Sequence, residues 1–276
     1  MKNRLETKLT KTILEYEYNR LGSMQKVADY LQVSIDSIYK YMKLYEIPYN
    51  KHYQGIYVCN ENYFKNDTEG SFYWAGFIAA DGSVQKRKYS KILKIALSQN
   101  DHQHIELFKK SIESTHPIKT HEVKPSKLVK TKNMCSEIQI ANNNIYNDLN
   151  RFNIIPNKTK VYTFPEWLID HELVNHFMRG YFDGDGTITN CGLGKNRSVI
   201  QKSFSILGTK QFIEQYMNTL ISKTLLNEVK ISPHYSVFKL SYSGNNNIKT
   251  IYNFLYKNAT IYLYRKHNKF QDDITE

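Results

Sequence analysis

Trp74-Ala75-Gly76-Phe77-Ile78-Ala79-Ala80-Asp81-Gly82 and Met178-Arg179-Gly180-Tyr181-Phe182-Asp183-Gly184-Asp185-Gly186 are two versions of one phrase. Each is a run of apolar and small residues that stops at Asp-Gly. The copies stand about a hundred residues apart, the size of a small domain. Two similar halves are implied, each giving one carboxylate to a shared place. Gly76 and Ala80 lie four residues apart, as do Gly180 and Gly184. On a helix that spacing puts each pair on one face. Small residues there let two helix backbones approach closely. Packed through these faces, the helices bring Asp81 and Asp185 together at one end of the contact. That end is the negative end of both helix dipoles, and the two carboxylates also repel. A bridging divalent cation relieves both costs. Two carboxylates with backbone carbonyls nearby suit a hard, oxygen-seeking ion such as Mg2+ or Mn2+. One copy alone would read as an ordinary Asp-Gly turn. Two copies in matched contexts favour a site.

The chain has 276 residues, with 38 Lys and Arg against 26 Asp and Glu, a net charge of +12. That length holds more than one domain. The positive excess favours a polyanionic partner, although AT-rich coding supplies Lys, Asn, Ile and Tyr with the same sign. Cys59, Cys135 and Cys191 are scattered and odd in number. They form neither a zinc spacing nor a disulfide framework, which fits a reducing compartment. Met1-Lys2-Asn3-Arg4 leads into no apolar run, so no signal peptide is expected, and no stretch spans a bilayer. The expected location is intracellular.

Residues 1–47 read as helical, with Leu5, Leu9, Ile13 and Leu14 on one stripe. Gly22-Ser23 breaks the first helix. A short helix over 24–31, a turn at Gln32-Val33-Ser34 and a helix over 35–43 follow. Val27, Ala28, Leu31, Val33, Ile38, Tyr39 and Met42 would share a small core. This order is similar to a helix-turn-helix, with Ser34, Ser37, Lys40 and Lys43 turned toward a major groove. A plain helical hairpin is the alternative. Residues 48–70 read as a linker opened by Pro48.

The first half, 71–165, reads as the motif helix over 71–81, strands at 84–87 and 92–99, and a helix over 101–114 capped by Asp101. Strands at 118–123 and 136–141 flank a basic turn, and a helix follows over 143–152. The second half, 166–276, repeats this order. Strands at 187–190 and 198–207 flank a Gly/Lys/Arg loop. A helix over 209–222, strands at 228–232 and 235–242 and a helix over 247–257 follow, and the tail beyond Phe270 is expected to be loose. In the 92–99 strand, Leu93, Ile95 and Leu97 face one way and Lys94, Ala96 and Ser98 the other. The class is α+β, each half pressing an apolar sheet face on helices. The opposite faces carry Gln85, Arg87, Lys94, Ser98, Gln139, Gln201, Ser203, Ser205, Lys239 and Ser241. Polar side chains on an open sheet suit major-groove readout; a solvated face is the alternative. The basic turns at 124–132 and 195–197 would meet phosphates. His102, His104, His116 and His121 are expected at the surface rather than as ligands.

The paired phrases do not stand alone. Pro156-Asn157-Lys158-Thr159, Phe164-Pro165-Glu166 and His176-Phe177 precede the second copy, and Ala259-Thr260-Ile261-Tyr262-Leu263-Tyr264-Arg265-Lys266 stands near the end. Together they resemble the LAGLIDADG homing endonuclease family in its single-chain, two-motif form, over roughly residues 71–276. Ala79 departs from the pattern where Asp183 keeps an acid. The resemblance implies two pseudo-symmetric αββαββα halves forming a β-saddle, joined by packed motif helices over a long, asymmetric duplex. It implies a monomer that cuts both DNA strands, with Asp81 and Asp185 holding Mg2+ or Mn2+ beside the Ala80 and Gly184 carbonyls. Gln99 would order solvent, and Lys158 and Lys266 would polarise water or neutralise charge. Gly208 stands where the second half would match Gln99. The same fold also serves maturases on intron RNA and DNA-binding regulators, although two intact aspartates argue against a dead centre.

Overall fold

Three hydroxyl side chains set the helices of the N-terminal stretch. Thr10 Oγ1 accepts from the Ile13 amide, Ser23 Oγ from Lys26 and Ser34 Oγ from Ser37. Each satisfies a donor that a helix start leaves open. They begin α1 (Lys11–Leu21), α2 (Met24–Leu31) and α3 (Ile35–Leu44). Leu9, Leu14, Val27, Ala28, Ile38, Met42 and Ile47 form a core of their own, with Leu31 and Val33 packed on it. Tyr39 was expected in that core, yet it is 48% exposed. Ile38 and Met42, four apart, already fill the inner face of α3, and Tyr39 lies about 100° round the helix from Ile38. In this computed structural model the described residues are 9–49, 57–87, 90–123, 133–193 and 199–271. They fall into two compact units that divide between Val58 and Cys59.

The second unit therefore claims part of the expected linker. Asn60 N donates to the Ile112 carbonyl at 2.8 Å, and Phe64 is fully buried in a short turn over Tyr63–Lys65. Next comes α4 (Glu69–Asp81), opened by a reciprocal cap. Ser71 N donates to Thr68 Oγ1 and Thr68 N to Ser71 Oγ, both at 3.1 Å. Every residue of α4 from Ser71 to Ala79 is buried. The chain continues through β1 (Gly82–Lys86), β2 (Lys91–Ser98), α5 (His102–Ser111), β3 (Ile118–Val123), β4 (Asn133–Ala141) and α6 (Asn143–Leu149). The order then repeats: α7 (Val174–Asp185), β5 (Thr187–Leu193), β6 (Val199–Gly208), α8 (Lys210–Lys223), β7 (Ser232–His234), β8 (Val237–Ser243) and α9 (Asn245–Tyr256), followed by α10 (Tyr264–Gln271). Two antiparallel four-stranded sheets result, ordered β1-β2-β4-β3 and β5-β6-β8-β7. The expected α+β class with two matching halves holds. Leu93, Ile95 and Leu97 face the core with Ile138 and Ile140, and Phe204, Ile206 and Leu240 do the same in the second sheet. Burying each such side chain contributes roughly 1.5–3 kcal/mol.

Four local expectations change. Asp101 makes no cap bond to α5, because its carboxylate goes to Arg265 instead. Residues 228–231 are not a strand, and β7 is only a short arm of a hairpin that turns at Tyr235, φ +52°. Helix α10 adds an element that the polar stretch Tyr264–Gln271 did not announce. His104 and His116, expected at the surface, are only 5% and 8% exposed. The basic turns at 124–132 and 195–197, and the tail beyond Gln271, lie outside the described residues. No helix among the described residues is long and apolar enough to cross a membrane.

Candidate functional site

Helices α4 and α7 meet backbone to backbone. A β-carbon on Gly76 would strike the Phe177 carbonyl oxygen and lie 2.9 Å from Tyr181 N. One on Gly180 would strike the Tyr73 carbonyl oxygen and lie 2.8 Å from Phe77 N. The collisions are reciprocal, as a pseudo-twofold seam requires. Further along, Gly184 faces the Ala80 methyl, and its β-carbon would lie 3.4 Å from Asp81 N. The seam thus delivers Asp81 and Asp185 to one end. The glycines after them are not left-handed stops. Gly82 has φ −84° and Gly186 φ −78°, both extended. They supply room instead: a β-carbon would lie 2.8 Å from Ile78 Cα at Gly82 and would strike the Phe182 ring at Gly186.

Asp81 and Asp185 are open to solvent on one side, while the helix ends crowd them on the other. Burial, and next the Asp81 charge, raise the Asp185 carboxyl to about 6, against the pull of Lys266 and Lys158. Burial also raises Asp81, and Lys266, Lys158 and Arg265 hold it down. Both lysines are buried, at 7% and 4% exposed for Lys158 and Lys266. Lys158 Nζ donates to Gly82 O at 2.7 Å. Lys266 Nζ donates to Phe182 O at 2.9 Å and Gly184 O at 2.7 Å. Each ammonium thus satisfies carbonyls at the end of the motif helix of its own half, where the dipole favours a cation. Burial lowers both, Lys266 to about 8, and the carboxylates oppose the shift.

The extra acid of the second phrase has a structural task. Asp183 is fully buried. It accepts from Tyr73 OH at 2.8 Å, Tyr256 OH at 2.6 Å and Leu263 N at 2.7 Å. It ties α7 to α4, to α9 and to the approach to α10. Ala79 sits at the matching place in α4, 5% exposed in the core, where the fold asks for no acid. Arg179 is likewise a clasp. Its three nitrogens donate to Ile261 O, Leu255 O and Glu69 Oε1 at 2.7–2.9 Å, and Glu69 also accepts from Thr260 N at 2.8 Å. His104 Nε2 lies 2.9 Å from Tyr73 OH, and His116 Nδ1 lies 2.8 Å from Ser114 Oγ. Neither histidine joins a metal cluster. Among the described residues no three His, Cys, Asp or Glu side chains converge for a metal.

Gln99 is exposed at the start of the turn Gln99–Asp101, just beyond β2. Gln85 and Arg87 are exposed, with Arg87 Nη2 3.2 Å from Gln85 Oε1. Lys94 and Gln139 do not stand alone on their face. Lys94 is paired with Glu137, and Gln139 Nε2 donates to Glu137 Oε1 at 2.5 Å. Glu137 was missed, as was Ser83, which faces Lys94 across the ladder. Ser98 Oγ accepts from Asn100 N at 3.4 Å. In the second sheet, Ser205 lies opposite Ser241 and Thr187, Ser203 opposite Ser243 and Thr189, and Lys239 opposite Leu207. Gln201 continues this face along β6. Thr187, Thr189 and Ser243 were overlooked, although strand alternation carries them to the same side. In the first unit, Lys40 and Lys43 are exposed on α3. Ser34 and Ser37 instead turn to each other, Oγ to Oγ 2.8 Å, because Ser34 caps the helix.

No protein-family model matches the chain, and no curated protein matches it. Solved structures do. One is the homing endonuclease I-WcaI bound to its DNA recognition sequence, at 17% identity and TM-score 0.55, covering 75% of this chain and 91% of that one. The LAGLIDADG meganuclease I-AabMI bound to uncleaved DNA matches at 13% identity and TM-score 0.50, over 73% and 87%. Meganuclease I-SmaMI bound to uncleaveable DNA matches at 14% identity and TM-score 0.50, over 73% and 88%. The chain has the fold of the single-chain, two-motif LAGLIDADG homing endonucleases.

Proposed function

We propose that this chain is a site-specific double-strand DNA endonuclease that hydrolyses phosphodiester bonds with a divalent cation. One observation carries the reading: equivalent carboxylates from two halves, Asp81 and Asp185, converge at a backbone-tight seam and stay open to solvent there. The similarity of fold to proteins solved on DNA supports it, as does the net charge of +12.

The residues fit a hard cation. Both carboxylates are raised by burial in spite of two nearby ammonium groups, so they are under-compensated and would gain from a further positive charge. Asp81 and Asp185 would hold Mg2+ or Mn2+, with the Ala80 and Gly184 carbonyls beside them. Gly184 O already accepts from Lys266, which leaves it one lone pair. When bound, such an ion acidifies water and neutralises phosphate charge.

The chain's own groups do the rest. The polar faces of the two sheets position a long, asymmetric duplex by donors and acceptors along β2, β4, β6 and β8. Lys158 and Lys266 each keep N–H capacity beyond the carbonyls they brace, and their charge opposes the negative charge that develops on phosphate. Gln99, exposed beside the seam's first sheet, orders solvent. Lys40 and Lys43 on α3 of the first unit add phosphate contacts. A single chain supplies one acid per strand and works as a monomer.

Incubating a randomised duplex library with Mg2+ and sequencing the ends is expected to return one long consensus. Asp81→Asn and Asp185→Asn should each slow cleavage by at least ~100-fold while target affinity stays within a few-fold. If either variant cuts both strands at the parental rate, the shared site is wrong.

A further inference from the structure

Two basic side chains stand next to each other at the start of α10, and they turn opposite ways. Lys266 turns inward to the Phe182 and Gly184 carbonyls. Arg265 reaches into the first half of the unit. Its Nε lies 2.9 Å from Asp101 Oδ1 and 3.1 Å from Oδ2, and its Nη2 lies 2.9 Å from Oδ2. Asp101 is 9% exposed, whereas the Arg265 side chain is 52% exposed. The carboxylate therefore grips one edge of the guanidinium from the buried side and fixes its plane. The edge carrying Nη1 makes none of these bonds. Asp101 also closes the turn that the exposed Gln99 opens. Lys266, the next residue, donates to Gly184 O at 2.7 Å, the carbonyl just before Asp185, so Arg265 stands beside the same helix end.

Among the described residues the other half has no such device. Gly208 stands where the first half has Gln99, so Lys210 stands where it has Asp101. Asn157, before Lys158, stands where Arg265 precedes Lys266. Lys210 pairs along its own helix with Glu214 at 3.6 Å. Thr209 donates to Tyr162 O at 2.5 Å and caps Phe212 N. Among the described residues no arginine is pinned at that corner.

We infer that Arg265, held in plane by Asp101, is a phosphate-binding catalytic residue for one of the two cleavage centres, the one beside Gln99. The two strands of the duplex therefore meet unequal machinery. This rests on the endonuclease reading. In the step concerned, a water oxygen forms a bond to phosphorus and the bridging P–O bond breaks. The water's proton passes to solvent, and the departing oxygen is protonated from solvent. Arg265 stays protonated throughout and contributes two-pronged hydrogen bonding to the charge that develops on the non-bridging oxygens. Asp101 is a positioning residue that acts through Arg265.

The test is strand-resolved cleavage of a supercoiled plasmid carrying the library-derived target, with each strand labelled separately. Arg265→Gln is expected to slow one strand about 30-fold and leave the other within threefold, so that nicked circles accumulate. Arg265→Lys, which keeps the charge and loses the fork, should fall between. Asp101→Asn should slow the same strand as Arg265→Gln. Target affinity and melting temperature, measured in parallel, should not split by strand. Equal slowing of both strands, or of neither, overturns the inference and makes the pair a brace between halves. A parental chain that cuts neither strand removes the endonuclease reading, and this inference with it.

Discussion

A β-carbon on Gly180 or Gly76 meets main-chain atoms of the opposite helix, and main chain inside a helix cannot rotate away as a side chain would. Gly180→Ala is therefore expected to destabilise the second unit by about 3 kcal/mol, read as a fall in the urea midpoint. Gly22 offers a contrast. Its backbone is left-handed, φ +69°, with nothing within 4 Å of an added β-carbon, so Gly22→Ala should cost only about 1 kcal/mol. A second residue-level expectation concerns pH. Burial pushes His104 down to about 4, against roughly 6.5 in the unfolded chain. On acidification the unfolded chain takes up that proton first. The contribution is whole above about pH 6.5 and is lost as pH falls toward 4, by up to ~3 kcal/mol. Burial lowers His176 to about 4 as well, so it acts in the same window. Urea titrations at several pH values should show this slope, and His104→Gln should flatten it. The central aspartates were legible because a repeated phrase marks them twice. Arg265–Asp101 was not, since the pair joins positions 164 apart, and the local patterns around the two residues, a helix start and a terminal phrase, say nothing of each other.

Among the elements, strands with strict alternation were legible and short polar ones were not. Lys91–Ser98 announces itself through Leu93, Ile95 and Leu97. Tyr264–Gln271 has only Phe270 and the stem of Lys266 to bury, too few apolar positions to show a helical period. Its placement comes from tertiary bonds: Lys202 Nζ, itself only 4% exposed, donates to Lys269 O and Phe270 O at its last turn, and Leu263 N donates to Asp183 just before it. Asp183 is the clasp between α7, α4 and α9. Asp183→Asn turns one of its two acceptor atoms into a donor facing donors. We expect a loss of about 3 kcal/mol, seen as a lower thermal midpoint. The sheet face was read partly right. Lys94 and Gln139 do lie on it, yet both lean on Glu137, whose carboxylate accepts rather than donates. On the proposed DNA reading, Glu137→Gln should change base preference at one position while changing total affinity little, measurable by selection on a degenerate target.

At the level of the whole chain, +12 spread over two units predicts strongly salt-dependent binding. Each neutralised phosphate adds roughly −0.9 to the slope of log affinity against log salt. Lys40→Ala with Lys43→Ala should weaken target binding and flatten that slope by about 2, with the cleavage position unchanged. The stretch from Thr260 to Phe270 gathers many of the contacts around the candidate centre. Thr260 and Ile261 meet Glu69, Leu263 meets Asp183, Arg265 meets Asp101 and Lys266 closes the end of α7. Both motif helices and the eight strands among the described residues come earlier in the chain. During synthesis, a chain that has not yet passed residue 266 thus has both aspartates but lacks the arginine and lysine that would complete the proposed centre. A polypeptide stopped at residue 258 should retain strands yet nick no plasmid, and adding residues 259–271 as a separate peptide should restore cutting. On the proposed endonuclease reading, the order of translation withholds cleavage from an unfinished copy.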